Sequence, residues 1–325
     1  MHNLCTKYEK ISKGVTSMKN IRTDLALETH ELYKESAHDL PGVSVFDKSS
    51  KDIKITHVKI ETEEAAEKMG KPIGNYITLE TPDLRYIDKK LYEQICRRIA
   101  DEITELIDDD VEKPILVIGL GNRAITSDSL GPEVVDRLII TRHLFSHAPE
   151  IISENYASVC ALAPGVLGIT GIETEEIVKS VCKKIQPSCV IVIDALAARS
   201  IERITNTVQI CDAGINPGAG VGNNRKEISE KTLGVPVIAI GVPTVVDAAT
   251  ITEDTLNAAF LDVDEKFPLD EIFRSGKISN KILNFTTTPK EIDILIKKSS
   301  EVVANGINFA LHDNITFEDI DIFVG

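Results

Sequence analysis

The chain of 325 residues has no tryptophan, and aromatic residues make up only 5% of it. That scarcity argues against a base-stacking platform for single-stranded nucleic acid. Positive charge is also short: 36 Lys and Arg stand against 51 Asp and Glu, for a formal net charge of -15. A nucleic-acid backbone would be repelled overall, so no direct nucleic-acid partner is expected. A basic protein or peptide would be attracted, although solubility alone is reason enough for the surplus. No apolar run approaches the ~18 residues of a membrane span. Residues 1–20, MHNLCTKYEKISKGVTSMKN, lack the apolar centre of a signal peptide. A cytoplasmic protein with no membrane partner is expected. No CxxC pair occurs among the six cysteines, Cys5, Cys96, Cys160, Cys182, Cys189 and Cys211. Most lie in apolar patterns and read as buried thiols of a reducing compartment. HExxH and GxSxG are absent and the histidines are scattered, which argues against a dense histidine-based zinc site or a serine nucleophile elbow.

The stretch around which the chain is organised is Ile115–Phe145, preceded by Pro114. Ile115-Leu116-Val117-Ile118 has the length and β-branched content of a buried strand. Gly119-Leu120-Gly121-Asn122 then lets the backbone leave the sheet in conformations that a β-carbon would forbid. Gly131-Pro132 opens a helix, carried onward by Val134, Val135, Leu138, Ile139 and Ile140 at roughly helical spacing. Asp128 lies between loop and helix, at the carboxyl end of the strand, where open parallel sheets bind their ligands.

Before this stretch, residues 1 to about 26 are polar and aperiodic: a leader, a flexible arm or a propeptide. A short helix is expected over Leu25–Lys34. Strands are expected at Val43–Phe46, Ile53–Ile60 and Asn75–Glu80, antiparallel because their links are short. Leu91–Ile107 reads as a helix with Leu91, Ile95, Ile99, Ile103 and Leu106 on one face. After Pro114, strands and helices alternate. Strands are expected at Ala157–Ala163, Cys189–Ile193, Thr205–Cys211 and Val235–Ile240. Helices are expected at Glu173–Lys184, Ala195–Ile204, part of Val245–Leu261, and Glu291–Leu311, with a weakly patterned connection over Lys266–Thr288. Such alternation implies an α/β fold: a mostly parallel sheet with helices on both faces, to which the earlier antiparallel strands are added. One compact domain with an N-terminal arm follows.

Gly119-x-Gly121-x-x-Ala124 matches a loose dinucleotide fingerprint. Its helix starts late, however, and no acid ends a second strand about 20 residues on, so a nucleotide-binding module is the weaker reading. Gly218-x-Gly220-x-Gly222 with Arg225-Lys226 looks like a phosphate cradle but lacks the GxxxxGK[ST] register, and a tight structural loop fits better. The stronger signal is Asp128 together with Asp194, which ends the most apolar strand. A carboxylate there needs water, a donor or a metal. Two acids meeting at one sheet edge can share a proton or hold a cation, and either arrangement activates water for hydrolysis. The plainer reading is that both cap local elements, Asp194 the Ala195–Ile204 helix. Asp212 and Asp247 also sit at element ends, where cap and catalyst look alike. His143 is placed at a helix C-terminus, where a cation suits the dipole.

The segments GLGNRAITSDSLGPEVVDRLIITRHLF, ALAPGVLGITGIETEEIV, VIVIDALAARSIERI, TVQICDAGINPGAGVGNNRKEIS and LGVPVIAIGVPTVVDA resemble the germination protease of spore-forming bacteria almost continuously over 114–252. The likeness returns at Ile21–Ala26, Pro289–Asp293 and Val302–His312. It implies an endopeptidase that starts degradation of small acid-soluble spore proteins at germination, acting in the cytoplasm of the spore. It also implies a homotetrameric zymogen that removes its own propeptide. The family's proposed catalytic acids fall on Asp128 and Asp194, as in an atypical aspartic-type peptidase. Gly119, Gly121, Asn122, Gly165 and Gly168 would then support the loops that stabilise an oxyanion. The family's fold resembles the hydrogenase-maturation peptidases, which bind nickel through carboxylates. No cofactor is expected, yet a divalent metal at Asp128 and Asp194 stays open. Thr23-Asp24-Leu25-Ala26-Leu27-Glu28 resembles the family's own cleavage sites, which implies a cut between Ala26 and Leu27. That cut would leave residues 27–325 as the peptidase domain. The 266–288 connection is shorter than the family's loop before the closing helix at 289–312.

Overall fold

The computed structural model describes residues 23–37, 40–107, 113–150, 152–153, 155–218, 225–259 and 285–324. Helix α1 (Ala26–Ala37) leads into a meander of β1 (Val43–Asp47), β2 (Lys54–Ile60) and β3 (Gly74–Glu80), with α2 (Glu63–Met69) between the last two. α3 (Lys89–Thr104) precedes β4 (Ile115–Gly119). Then come a 3-10 turn at Thr126–Asp128, α4 (Leu130–Val135), α5 (Arg142–His147), β5 (Val159–Leu162), α6 (Leu167–Thr170) and α7 (Thr174–Ile185). β6 (Cys189–Ala198), β7 (Thr207–Cys211), α8 (Glu230–Leu233), β8 (Val237–Asp247) and α9 (Ala248–Ala259) follow. β9 (Thr286–Thr287), α10 (Ile292–Leu311) and α11 (Phe317–Val324) close the chain.

The sheet runs β1-β2-β3-β7-β8-β6-β4-β5, with β9 paired to β8. Its core is parallel: β5 with β4, β4 with β6, β6 with β8. The other half is antiparallel, and β7 is the seam, antiparallel to both β8 and β3. Alternation along the central strands explains the helices on both faces. Ile115, Val117, Ile191, Ile193, Ile238 and Ile240 join one core with Ile95 and Ile99 of α3 and Val303 and Ile307 of α10. Leu116, Ile118, Val190 and Val192 turn to the other face, against Val178 and Cys182 of α7. α10 and α3 cross closely because Gly306 has no side chain; a Cβ there would lie 2.4 Å from Cγ2 of Ile99.

Two expected helices are corrected. Ala195–Ile204 is not one helix: β6 continues through Asp194 to Ala198, and a 3-10 turn occupies Ile201–Arg203. Alanine and leucine favour a helix locally, but pairing with β8 as far as Val246, across an irregularity between Leu196 and Ala197, overrides that preference. The run from Pro132 to Phe145 is likewise divided into α4 and α5. Asn308 of α10 makes the break: its Oδ1 accepts from Ile139 N at 3.0 Å, and its Nδ2 donates to Arg137 O at 3.0 Å. These bonds satisfy backbone groups that a continuing helix would have paired. His143 consequently lies in the first turn of α5, exposed, rather than at a helix C-terminus. Of the expected arm, residues 1–22 fall outside the described residues, as do 260–284 of the late connection and 219–224 of the second glycine-rich loop.

Candidate active site

β4 and β6 lie side by side with Gly119 opposite Ile193, so the chain leaves β4 one residue short of Asp194. Leu120 N still bonds Ile193 O at 2.8 Å. The backbone then folds back tightly. Asn122 N donates to Asp128 O at 2.9 Å, and Asn122 Oδ1 accepts from Ala124 N at 2.9 Å. Gly121 has φ +114°, and a Cβ on it would lie 2.0 Å from Asp128 O. A Cβ on Gly119 would lie 2.2 Å from Gly131 O. The glycines are therefore needed for close backbone packing, which brings the Thr126–Asp128 turn onto the sheet. The side of this loop on which a β-carbon would stand is taken by the backbone of Asp128 and Gly131. Thr244 of β8 adds an anchor unmarked in the sequence, its hydroxyl donating to Ser127 O at 2.7 Å.

Asp194 does not end its strand. It lies mid-strand opposite Gly241 of β8, is only 6% exposed, and accepts from Ala195 N at 2.9 Å. It therefore caps no helix. Burial is the main reason its carboxyl is pushed well above the usual carboxylate range, and the charges of Asp128 and Asp24 push it further. Half-buried Asp128 is raised to about 6, mainly by desolvation, with the backbone N–H of Asn122 pulling it back. The two acids thus share one electrostatic environment at one rim of the sheet, in unequal degrees of burial. That inequality suits one proton donor and one proton acceptor near neutrality.

The remaining candidates separate from this pair. Gly165 (φ +77°), in the β5–α6 connection, and exposed Gly168, within α6, do not line the cavity beside Asp194. Asp212 ties β7 to β3, accepting from Asn75 N at 2.7 Å and Asn75 Nδ2 at 2.6 Å. Asp247 ends β8 and is buried. Lys226, beside the glycine-rich loop that reads better as structural than as a phosphate cradle, pairs with Glu176 at 2.8 Å. Among the described residues no group of three or more His, Cys, Asp or Glu side chains is gathered to hold a metal ion.

Sequence reasoning missed what lies against Asp194. A cavity of about 100 Å³ is lined by Asp194, Leu196, Lys71, Gln209, Gly241 and Asp24, among others. Asp24 belongs to the segment Thr23-Asp24-Leu25-Ala26, whose Leu25 and Ala26 are both 0% exposed. Ala26 opens α1 and Leu27 is 4% exposed, so the bond expected to be cut is buried in a first helical turn. Glu28 fastens this turn, accepting from Arg199 N at 2.6 Å and Ser200 N at 2.9 Å. A polar Gln209 inside the apolar strand Thr207–Cys211 and the cleavage-site likeness of Thr23–Glu28, which includes Asp24, were the visible signals; Lys71 carries none.

Comparison with known proteins agrees over nearly the whole chain. The family described as germination protease matches residues 21–267. A germination protease of Clostridium perfringens is 45% identical over 94% of this chain and 100% of that protein. One of Caldanaerobacter subterraneus subsp. tengcongensis is 46% identical over 93% of this chain and 97% of its own length. One of Bacillus cereus is 40% identical, covering 92% and 95%. A solved [NiFe] hydrogenase maturation protease, HycI of Thermococcus kodakarensis KOD1, overlays 65% of this chain and 98% of its own at 16% identity and a TM-score of 0.35.

Proposed function

The chain belongs to the germination protease family and is a peptidase, and on that premise we propose that Asp128 and Asp194 carry out its hydrolytic step on small acid-soluble spore proteins. Asp128, the more exposed acid, is ionised near neutrality and takes a proton from water. The resulting hydroxide attacks the scissile carbonyl carbon. Asp194, protonated in its buried position, hydrogen-bonds the carbonyl oxygen and passes its proton to the departing amine. Water is consumed and two peptides leave; the proton held by Asp128 then returns the pair to its starting state. The observation that carries this reading is the joint placement of two raised carboxyls, one buried and one half-buried, on a chain of this family.

The protein is made in the spore cytoplasm as an inactive homotetrameric zymogen, and residues 1–26 are a propeptide that it removes between Ala26 and Leu27, leaving one active peptidase domain from residue 27. Because that bond lies inside the first turn of α1, the cut requires the turn to unwind. No helix among the described residues is long and apolar enough to cross a membrane.

Digestion of purified small acid-soluble spore protein, with a chelator series alongside, tests the reaction and its independence of metal. Cleavage by the processed chain that survives chelation supports the acid pair, and a substrate left intact by the processed chain would reject the peptidase assignment. N-terminal sequencing of the processed chain should begin at Leu27; a processed chain starting elsewhere removes that cut.

A further inference from the structure

The segment before Ala26 is held largely by bonds to its main chain. Lys71 Nζ donates to Thr23 O at 3.1 Å and to Asp24 O at 2.9 Å. Gln209 Nε2 donates to Asp24 O at 3.1 Å, while its Oε1 accepts from Ala26 N at 2.8 Å. Asp24 N donates to Ala197 O at 2.9 Å, and Ala197 N donates back to Asp24 Oδ2 at 2.8 Å. Contacts of this kind bind a peptide as an added strand would, whatever its side chains. Three side-chain positions are then selective. Ala197 N faces an acid, Leu25 packs among Leu196, Ala198 and Val246, and Ala26 is fully enclosed in an apolar cluster.

Register places this groove on the same part of the sheet as the acids. Gln209 pairs with Gly241, and Gly241 pairs with Asp194. Two strand spacings, roughly 10 Å, therefore separate Gln209 from Asp194 along one row. Lys71, Gln209, Asp24 and Asp194 line one cavity.

We infer that Lys71, Gln209 and the Ala197 backbone form the binding groove for the residues that precede the cut in a peptide substrate. In the uncut chain Thr23–Ala26 fills this groove from within, and the helical first turn of α1 keeps its own bond from being presented. The inference deepens the peptidase reading and rests on it, but it is measured by binding instead of cleavage.

The test uses the full-length chain carrying Asp194→Asn, so that it stays uncut, and a dye-labelled peptide copied from residues 20–31. Fluorescence anisotropy gives the affinity. The Asp194→Asn chain should bind weakly because its groove is filled. Adding Asp24→Ala loosens the internal segment and should tighten peptide binding at least tenfold, and Leu25→Ala on top should tighten it further. Adding Lys71→Met or Gln209→Leu to the loosened chain should lose that gain, while Lys71→Arg should recover part of it. A peptide with its acid changed to the amide should bind several-fold more weakly to the loosened chain. Equal affinity across these variants, with each melting cooperatively, would overturn the groove. Loss of spore-protein cleavage by the wild type would instead strike the peptidase reading, so the two failures are distinguishable.

Discussion

Two buried acids, one within β6 and one bonded to the backbone just beyond its end, have opposite surroundings. Glu28 is 2% exposed and is surrounded by donors: the backbone N–H groups of Arg199 and Ser200, the hydroxyl of Thr23, and the Arg203 guanidinium at 3.5 Å. Arg203 itself is shared with Glu31 and Glu80. Asp194 is 6% exposed and is flanked instead by the charges of Asp128 and Asp24. Donors stabilise the ionised form of an acid, whereas burial beside like charges favours the protonated form. Glu28 therefore fastens a helix start to the sheet, while Asp194 is left holding a proton it can give away.

The largest effect should separate the two acids by function. Asp128→Asn and Asp194→Asn should each lower kcat for spore-protein cleavage by roughly 10³-fold, in the range of lost acid–base catalysis. Circular dichroism and melting should show an intact fold. Substantial turnover in either variant would reject the pair.

The second effect should separate them by stability. Glu28→Ala leaves Arg203 without one buried partner and two backbone N–H groups without their acceptor, and should cost about 3 kcal/mol by urea unfolding. Asp194→Asn should cost little, since it replaces a neutral, protonated carboxyl with a neutral amide of similar shape. Equal losses at the two positions would erase the contrast.

The pH profile sharpens it. Activity should rise with pH through an apparent pKa near 6 as Asp128 ionises, then fall as Asp194 loses its proton, a bell whose limbs belong to the pair. A flat acid limb between pH 5 and 7 would remove Asp128 as the base.

The smallest effect concerns stability against pH. The folded pKa of Asp128, about 6, lies above its ordinary value of 3.8, so folding favours the protonated form. The resulting penalty is absent below pH 4, grows as pH rises from 4 to 6, and is complete above 6. Asp128→Asn removes it and should stabilise the protein by about 1 kcal/mol at pH 7.5, allowing for screening at a half-buried group. That gain, read as a melting shift of roughly 2–4 °C, should vanish at pH 4. A gain that persists at pH 4 would mean the ionisation is not its source.

Much of this molecule is legible locally. The antiparallel meander, the amphipathic α3, the closing α10 and the alternation after Pro114 follow from periodicity, which depends only on residues near one another in sequence. Gly119 and Gly121 stood out correctly, although the partner that requires them, the backbone of residues 128–131, could not be read from their spacing. The errors fall where distant residues decide. Ala195–Ala198 is strand because β8 pairs with it, and the Pro132–Phe145 helix breaks because Asn308, far along the chain, takes over its backbone groups. Lys71 carries no local signal, since a single Lys in a polar stretch is ordinary, and Asp24 is marked only by the cleavage-site likeness of its segment.

By itself, then, the amino-acid sequence determined which carboxylates had to be accounted for: Asp194 amid unbroken apolar residues and Asp128 after a loop that only glycines could form. The tertiary structure alone decided what surrounds them. Strand register set Asp194 opposite Gly241, and the fold brought Asp24 and Asp128 to its side. Proton affinity depends on distance through space and on exclusion of water, and neither quantity is encoded in the spacing of residues along a chain.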